Sequence, residues 1–293
     1  MTRAQSKPQQ IITGIKEIAD QYDAFLLDLW GTIHDGTHLY PGVVTCLEQL
    51  KERGKSICLL SNVPRRCTSI IKRLKEMGLP RDAYDHIVTS GEAVYRVLMD
   101  RPDEQYRCLG QRFYHLGPER DRDLFTEHDI PSLVEVETLA KAEFILNTGP
   151  LEYDDSLEDY ERTLQDAIDL KLPMVCANPD LIVMVNGQDV ICAGTLAQHY
   201  EQLGGSVLYH GKPYASIYDQ CFIQIGPMTR TRMIAIGDTL CTDIRGANEA
   251  GLASCFVPRG IHRTGFNSKS RDLDDFILTL EWVPTYFIED LIW

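Results

Sequence analysis

The first segment that could carry chemistry is a carboxylate at the end of an apolar run. Residues 24–27 are Ala-Phe-Leu-Leu, Asp28 follows them directly, and Gly31 and Thr32 come shortly after. A carboxylate at the carboxyl end of a central parallel strand lies in the crevice where open α/β sheets bind ligands. Asp28 is therefore a candidate for catalysis or metal binding. Its alternative role is to cap the turn that Gly31 and Thr32 would form.

Two further positions offer a hydroxyl and a cation. Ser61 ends a second apolar run, so its hydroxyl could donate to a phosphate oxygen, or it could only cap the helix predicted from Pro64. Lys212 follows a third run, at residues 207–210. Pro213 stands where a P-loop requires Ser or Thr, so Lys212 is not a P-loop lysine. It is either a functional cation at a strand-to-helix junction or a surface lysine.

A fourth segment carries a pair of carboxylates. Asp238 follows Gly237 at the end of an apolar run, and Asp243 comes five residues later, before a predicted helix. Oxygen ligands of this kind suit Mg²⁺. The alternative is that one carboxylate caps the helix and the other complements its dipole.

Strands and helices that alternate would place these groups at one edge of a sheet. The predicted strands cover residues 24–27, 56–60, 87–89, 207–210, 232–236 and 253–257. Amphipathic helix patterns lie between them, at residues 43–53 and 64–77 for example. This alternation predicts an α/β fold with a doubly wound, Rossmann-like parallel sheet. We expect all four candidate segments to end strands of that one sheet.

The middle of the chain differs in style from both ends. It has its own short apolar runs, many mixed charges and no repeat of the outer pattern. An inserted α/β domain is the simplest explanation. We therefore predict a core made of residues 1–86 and 191–293, with an inserted domain at residues 87–190. The basic stretch at residues 65–75 is interpreted as a solvated helix face, with the steering of a phosphate as the alternative.

Charge and hydropathy exclude several classes of protein. The chain of 293 residues has 29 Lys and Arg against 43 Asp and Glu, a formal net charge of −14. Such a chain repels phosphate backbones, so we expect no nucleic-acid partner. It has no apolar run long enough to span a bilayer, and its N-terminus lacks a signal-peptide pattern, so we expect a cytoplasmic protein and no membrane partner. A small phosphorylated ligand stays compatible, because a metal ion and one lysine can offset the local charge.

The four segments, in this order, resemble the motifs of the haloacid dehalogenase superfamily of phosphotransferases. The matching residues are Asp28, Gly31 and Thr32, then Ser61, then Lys212, and then Gly237, Asp238 and Asp243. Residues 177–180, late in the insert, and residues 211–213 after it resemble the class IIA branch. That branch includes phosphatases that act on nitrophenyl phosphate, sugar phosphates, phosphoglycolate and pyridoxal phosphate.

The resemblance implies a Mg²⁺-dependent phosphatase that acts on a small phosphorylated metabolite, either a sugar phosphate or an aryl or acyl phosphate. Asp28 would form an aspartyl-phosphate, with Ser61 and Lys212 holding the phosphoryl group. The implied Mg²⁺ ligands are Asp28, the main-chain carbonyl of Trp30, Asp238 and Asp243. The inserted domain would be a substrate-selecting cap, and we also consider a homodimer through it. The substrate contacts implied by position are Asn62, Asp180, Asn186 and Gln188.

Trp30 is a departure from the motif of the resembled family, which has a second Asp at this position. That Asp protonates the leaving group and then activates water, whereas Trp offers only an N–H donor. His34 and Asp35 are candidates to replace it, although they could simply be polar residues in a turn. Two possibilities follow. Either the substrate has a leaving group that needs no proton, or the chain is a catalytically weak or inactive protein that binds a phosphorylated ligand or a protein partner.

Overall fold

The computed structural model describes residues 10–126, 130, 133–185, 187–258 and 281–293. Contacts divide the chain into two compact units. The first unit comprises Met1–Ser61, Ile71–Val88 and Tyr218–Trp293, and the second comprises Asn62–Ile70 and Thr89–Ile217. Within the described ranges, no helix has both the length and the apolar character that crossing a bilayer requires.

The secondary structure alternates strands and helices along most of the chain. The strands are β1 (Gln10–Ile11), β2 (Ala24–Asp28), β3 (Ser56–Ser61), β4 (His86–Thr89), β5 (Arg112–Leu116), β6 (Val134–Glu135), β7 (Phe144–Asn147), β8 (Met174–Cys176), β9 (Ile182–Val185), β10 (Gln188–Ile191), β11 (Val207–Tyr209), β12 (Met233–Gly237), β13 (Ala253–Phe256) and β14 (Tyr286–Phe287). The α-helices are α1 (Val43–Glu52), α2 (Cys67–Glu76), α3 (Ser90–Asp100), α4 (Glu104–Arg107), α5 (Asp123–Thr126), α6 (Glu161–Asp169), α7 (Ala193–Gln202), α8 (Ala215–Ile225) and α9 (Arg245–Glu249). A single π-helical turn, Leu240–Ile244, precedes α9.

The first unit is built on a seven-stranded sheet in the order β1-β14-β13-β12-β2-β3-β4. The pairings from β1 through to β3 are all parallel. Every residue of the central strands β2 and β12 is buried. A parallel strand covered on both faces reads as a continuous apolar run, which is why these strands were recognisable in the sequence.

Helix α1 shows why the amphipathic pattern predicts helices well in this chain. Its buried residues are Val43, Cys46, Leu47 and Leu50, which form a single stripe at helical spacing. The helix ends where Gly54, with a φ of +68°, donates its N–H to the carbonyl of Lys51. Glycine at this position adopts the left-handed conformation without a steric penalty.

The second unit has its own five-stranded sheet in the order β11-β8-β7-β5-β6, and all of its pairings are parallel. One face of the sheet packs against α6 and α7, through Leu164 and Leu196 for example. The other face packs against α3 and α5, through Val94 and Leu124. Strands β9 and β10 form a separate antiparallel ribbon. The predicted α/β architecture is therefore present in both units.

Strand β11 corrects one prediction. We expected residues 207–210 to join the core sheet, whereas Val207 pairs with Met174 of β8 in the second sheet. The physical reason is the short path of the chain. Helix α7 ends at Gln202, and the next strand lies beside β8 as the parallel neighbour of a β-α-β crossover. The contacts also place residues 191–217 in the second unit. The assignment of residues 87–190 as a cap stays a prediction.

Candidate active site

Three carboxylates meet at the carboxyl edge of the first sheet. Asp28 is the last residue of β2, and Asp238 directly follows the neighbouring parallel strand β12. Asp243 lies in the π-helical turn just after them. One carboxylate oxygen from each of the three lies within 4.8 Å of the others. All three residues are buried, with exposures of 7%, 7% and 5%.

Two glycines allow the carboxylates to pack this closely. A Cβ on Gly31 would lie 2.0 Å from Oδ2 of Asp238, and a Cβ on Gly237 would lie 2.2 Å from Cγ of Asp243. The turn is also fixed by hydrogen bonds, since Thr239 donates its main-chain N–H to Asp243 (3.1 Å) and its hydroxyl to Asp238 (3.2 Å). The loop therefore holds both carboxylates in defined positions.

The carboxylate cluster fits a hard divalent cation. Three buried carboxylates so close together would repel one another strongly in a poorly screened environment. A bound cation of the Mg²⁺ or Ca²⁺ type, which prefers oxygen ligands, would remove that repulsion. Of the four predicted metal ligands, the structure brings together the side chains of Asp28, Asp238 and Asp243. The role of the Trp30 carbonyl stays a prediction.

Ser61 lies at the same edge of the first sheet. It is the last residue of β3, which pairs in parallel with β2 so that Leu60 stands opposite Asp28. Its side chain is buried. Sequence reasoning left two roles open, and the structure places the residue where a hydroxyl could act beside the carboxylate.

His34 and Asp35 do not have the properties of a replacement general acid. The Gly36 N–H donates to Nδ1 of His34 (3.0 Å), and burial, with the nearby charge of Arg73, lowers the pKa of this imidazole to about 4. Asp35 accepts the main-chain N–H groups of Thr37 and His38, which lower its pKa. At neutral pH the imidazole is uncharged and the carboxyl is ionised. Neither group then holds the readily transferable proton that a leaving group needs.

Trp30 fills the place of the missing carboxylate with a ring packed in its own loop. The indole stands edge-on to the His34 ring, with the centroids 5.8 Å apart. It also covers Gly36, where an added Cβ would lie 2.3 Å from the indole. Arg73 donates to the carbonyl of Gly36 (2.5 Å) and so ties the loop to α2. The loop is thus held in one conformation.

Lys212 lies in the second unit, just after β11, and is only 3% exposed. Its main-chain N–H donates to Oδ1 of Asn62 (2.7 Å), and its carbonyl accepts from Nδ2 of Asn62 (3.0 Å). The same Nδ2 atom donates to Oδ1 of Asp180 (2.9 Å). The structure therefore brings Asn62 and Asp180, both predicted to touch the substrate, together with Lys212.

The other predicted cap contacts are placed differently. Gln188 is exposed at the start of β10 in the antiparallel ribbon, and its contact with a substrate stays a prediction. Asn186 lies outside the described residues. The homodimer through the inserted domain also stays a prediction.

The basic stretch after Ser61 is not a solvated face throughout. Arg66 is 6% exposed, forms an ion pair with Glu92 (2.8 Å) and lies over the Tyr95 ring. Arg65 forms an ion pair with the buried Asp121 (2.7 Å). Sequence reasoning missed these partners because they lie far along the chain. The usable signal was the spacing of Glu92 and Tyr95, which lie three residues apart and share one face of α3.

Two family models and several curated relatives match the sequence of this chain. Residues 25–131 match a family described as haloacid dehalogenase-like hydrolase, and residues 209–291 match a related family described as HAD-hydrolase-like. Pyrimidine 5′-nucleotidase PynA of Streptococcus pneumoniae is 33% identical over 63% of this chain and 73% of its own length. Phosphoglycolate phosphatase 2 of Arabidopsis thaliana is 24% identical over 89% of each chain.

Solved structures share the fold over nearly the whole chain. A haloacid dehalogenase-like hydrolase from Brucella suis superposes with a TM-score of 0.81 at 28% identity, covering 96% of this chain and 100% of that one. The 4-nitrophenylphosphatase of Thermotoga maritima gives 0.69 at 23% identity, over 93% and 96% of the two chains. Glycerol phosphate phosphatase Rv1692 of Mycobacterium tuberculosis, solved with magnesium, gives 0.68 at 23%, over 93% and 77%.

A parallel α/β sheet with carboxylates at its carboxyl edge, together with relatives named as phosphatases and nucleotidases, defines a phosphoric ester hydrolase. The chain belongs to the haloacid dehalogenase-like hydrolase family. The resemblance stated from the sequence motifs, the fold class and the hydrolase class are thereby confirmed.

Proposed function

We propose that this protein is a Mg²⁺-dependent phosphatase that acts on a small phosphorylated metabolite through an aspartyl-phosphate on Asp28. The observation that carries the proposal is the buried cluster of Asp28, Asp238 and Asp243 at the carboxyl edge of the first sheet. A cluster of this type suits a hard cation beside a phosphoryl group. Residues 87–190 are proposed to form the cap that selects the leaving group.

The carboxylates of Asp28, Asp238 and Asp243 would hold the cation, together with the main-chain carbonyl of Trp30. A bound Mg²⁺ would offset the negative charges of Asp28 and of the phosphoryl oxygens, so that the two can approach each other. The fixed turn around Thr239 supports this role, because it holds two of the three carboxylates by hydrogen bonds. A related fold solved with magnesium is consistent with it.

The reaction is proposed to run in two displacements at phosphorus. First, a carboxylate oxygen of Asp28 forms a bond to phosphorus in line with the leaving group, whose P–O bond breaks and which departs with the electron pair. Ser61 donates a hydrogen bond to a phosphoryl oxygen, and the ammonium of Lys212 neutralises part of its charge. Second, the oxygen of a water molecule attacks phosphorus, the bond to Asp28 breaks with its electron pair returning to the carboxylate, and inorganic phosphate leaves with the protons of the water.

Trp30 is proposed to restrict the substrate to those with good leaving groups. General acid catalysis contributes about 10²–10⁴-fold to a rate. The protonation states of His34 and Asp35 leave neither as an effective acid at neutral pH. The aryloxide or carboxylate leaving group of an aryl or acyl phosphate departs without protonation, whereas departure of the alkoxide of an alkyl phosphate, such as a nucleotide or sugar phosphate, depends on it. We therefore propose aryl or acyl phosphates as the preferred class.

A substrate panel tests the proposal. Phosphate release would be measured for nitrophenyl phosphate, acetyl phosphate, glycerol phosphate, phosphoglycolate and a pyrimidine nucleotide, each with Mg²⁺ or a chelator. We expect Mg²⁺-dependent turnover, with kcat/KM for the first two about 10²-fold or more above the alkyl esters. Comparable kcat/KM values for the alkyl esters would refute the restriction.

Two variants decide whether Asp28 is the nucleophile. Asp28→Asn is expected to abolish turnover, because an amide cannot form the aspartyl-phosphate. Asp23→Asn is the matched control. It removes a carboxylate that pairs with Arg232 at the opposite end of the same strand, so turnover should persist. If turnover survives in Asp28→Asn, the proposed nucleophile is wrong.

The second candidate function, a catalytically weak protein that binds a phosphorylated ligand, is favoured by one observation, the presence of Trp30. It predicts calorimetric binding of inorganic phosphate with no turnover of any substrate in the panel. Turnover that requires Asp28 would exclude it.

A further inference from the structure

The side-chain amide of Asn62 holds both main-chain groups of Lys212. The Lys212 N–H donates to Oδ1 of Asn62 (2.7 Å), and Nδ2 of Asn62 donates to the Lys212 carbonyl (3.0 Å). Nδ2 also donates to Oδ1 of Asp180 (2.9 Å). An Asn side chain has two N–H groups and one carbonyl oxygen, and each of these three groups makes a hydrogen bond in this arrangement. Its side chain is buried, and both of its N–H groups and its carbonyl oxygen are already used within the protein.

The backbone just before Lys212 packs closely against the side chain of Asn62. Gly211 has a φ of +126°, and a Cβ there would lie 2.6 Å from both Oδ1 of Asn62 and Cδ of Pro179. Only a glycine at this position lets the Lys212 loop approach the amide so closely. The loop is therefore built against Asn62.

Asp180 is anchored in its turn. Its main-chain N–H donates to Oδ1 of Asn178 (3.0 Å), and its carbonyl accepts the N–H of Gly194 (3.1 Å). A Cβ on Gly194 would lie 2.5 Å from the Asp180 carbonyl oxygen, so α7 begins directly against this turn. The anchored main chain of Asp180 places its carboxylate beside Nδ2 of Asn62, and this contact fixes which way the Asn62 amide faces.

We propose that Asn62, oriented by Asp180, is a positioning residue for Lys212 rather than a substrate ligand. This inference rests on the proposed function, in which the Lys212 ammonium binds the phosphoryl group. The lysine side chain has four flexible carbons, so the place of its ammonium depends on a fixed backbone. The hydrogen bonds from Asn62 to both main-chain groups of Lys212 fix this backbone, in a loop that follows a strand of three residues.

A double-mutant cycle separates positioning from direct contact. The four proteins are the wild type, Asn62→Ala, Lys212→Ala and the double variant, and the readouts are kcat/KM and the inhibition constant of inorganic phosphate. We expect Asn62→Ala to lower kcat/KM by about 10- to 100-fold and to weaken phosphate inhibition, because a group misplaced by about 1 Å loses on that order. In the Lys212→Ala background, the same substitution should change either value by less than about threefold. Equal effects in both backgrounds would mean that Asn62 acts independently of Lys212, which overturns the proposal.

Four more variants distinguish positioning of Lys212 from a merely structural role. Asp180→Asn keeps an oxygen acceptor for Nδ2 of Asn62 and should stay within about threefold of the wild type, while Asp180→Ala should behave like Asn62→Ala. Gly211→Ala should displace Asn62 and weaken phosphate inhibition in the same way. Asn248→Ala is the matched control, since it removes an amide bonded to Val283 and Ser254 in the first unit. It should leave both readouts unchanged.

If the proposed function is wrong, turnover will survive in Asp28→Asn. The positioning of Lys212 can then still be tested by calorimetry, which measures the dissociation constant of inorganic phosphate for the same variants. A fall in the folded fraction would lower the apparent kcat but leave the phosphate inhibition constant unchanged. If replacing Lys212 leaves phosphate binding unchanged, the proposal is overturned.

Discussion

Gly237→Ala is a steric test of the carboxylate cluster. The added Cβ would lie 2.2 Å from Cγ of Asp243, whereas ordinary contact begins at 3.4 Å. The carboxyl carbon must therefore move by about 1.2 Å, the difference between these two distances. Gly237 has no left-handed backbone angle, so the substitution adds this displacement without backbone strain at that residue.

A displacement of this size should weaken Mg²⁺ binding. Mg²⁺ demands near-ideal octahedral geometry at about 2.0–2.1 Å from its ligands. Substitutions that disturb the support of a metal site cost about 10- to 100-fold in affinity. We expect the dissociation constant of Mg²⁺ to rise by that factor, which corresponds to about 1.4–2.7 kcal/mol. Calorimetric titration without substrate measures this independently of turnover.

Gly251→Ala is the matched control for this prediction. Gly251 has a φ of +73° and no atom within 4 Å of an added Cβ, so alanine there costs backbone strain and touches no carboxylate. It should lower the melting temperature while leaving Mg²⁺ affinity unchanged. Unchanged Mg²⁺ affinity in Gly237→Ala, or an equal loss in Gly251→Ala, would refute the reasoning.

Two other predictions follow from the same structure. Trp30→Asp should raise kcat/KM for alkyl phosphates by up to about 10²-fold, because it supplies a proton donor, and so narrow the preference for aryl phosphates. Trp30→Asn cannot protonate a leaving group and should not raise this kcat/KM. Equal gains in the two variants would contradict the proposed effect of Trp30 on the leaving group. Burial lowers the pKa of His210 to about 4, below its unfolded value of about 6.5, so its protonation opposes folding and stability falls as the pH drops through 6.5 toward 4. Between pH 6.5 and pH 5, denaturant unfolding should show about 1–2 kcal/mol less loss of stability in His210→Gln than in the wild type. Equal losses would show that His210 is not buried in its neutral form.

The sequence was sufficient for the parts of the site that depend on one strand and its end. Strands β2 and β12 are continuous apolar runs, and parallel neighbours bring their carboxyl ends together, so Asp28 and Asp238 could be paired in advance. Asp243 could be grouped with Asp238, because it follows five residues later and precedes a predicted helix. Each of these inferences needs only local periodicity and one rule of sheet geometry.

The parts that were wrong or open depend on partners distant in the chain. The apolar run before Lys212 predicts the strand β11, but it does not indicate that β8 is the neighbouring strand. Arg66 looks like part of a solvated helix until Glu92 and Tyr95 cover it. Asn62 was predicted to touch the substrate, and only tertiary structure shows its amide bonded to Lys212.

The central claim is that Asp28 carries the phosphoryl group during turnover. The most direct measurement is rapid acid quenching during turnover of nitrophenyl phosphate, followed by mass spectrometry of the peptide that contains Asp28. Because no general base stands at the Trp30 position, hydrolysis of the intermediate should be slow and the phosphorylated peptide should accumulate. We predict phosphate on Asp28 in the quenched wild type and none in Asp28→Asn. Turnover with no phosphate on Asp28, or with phosphate on another side chain, would contradict the account.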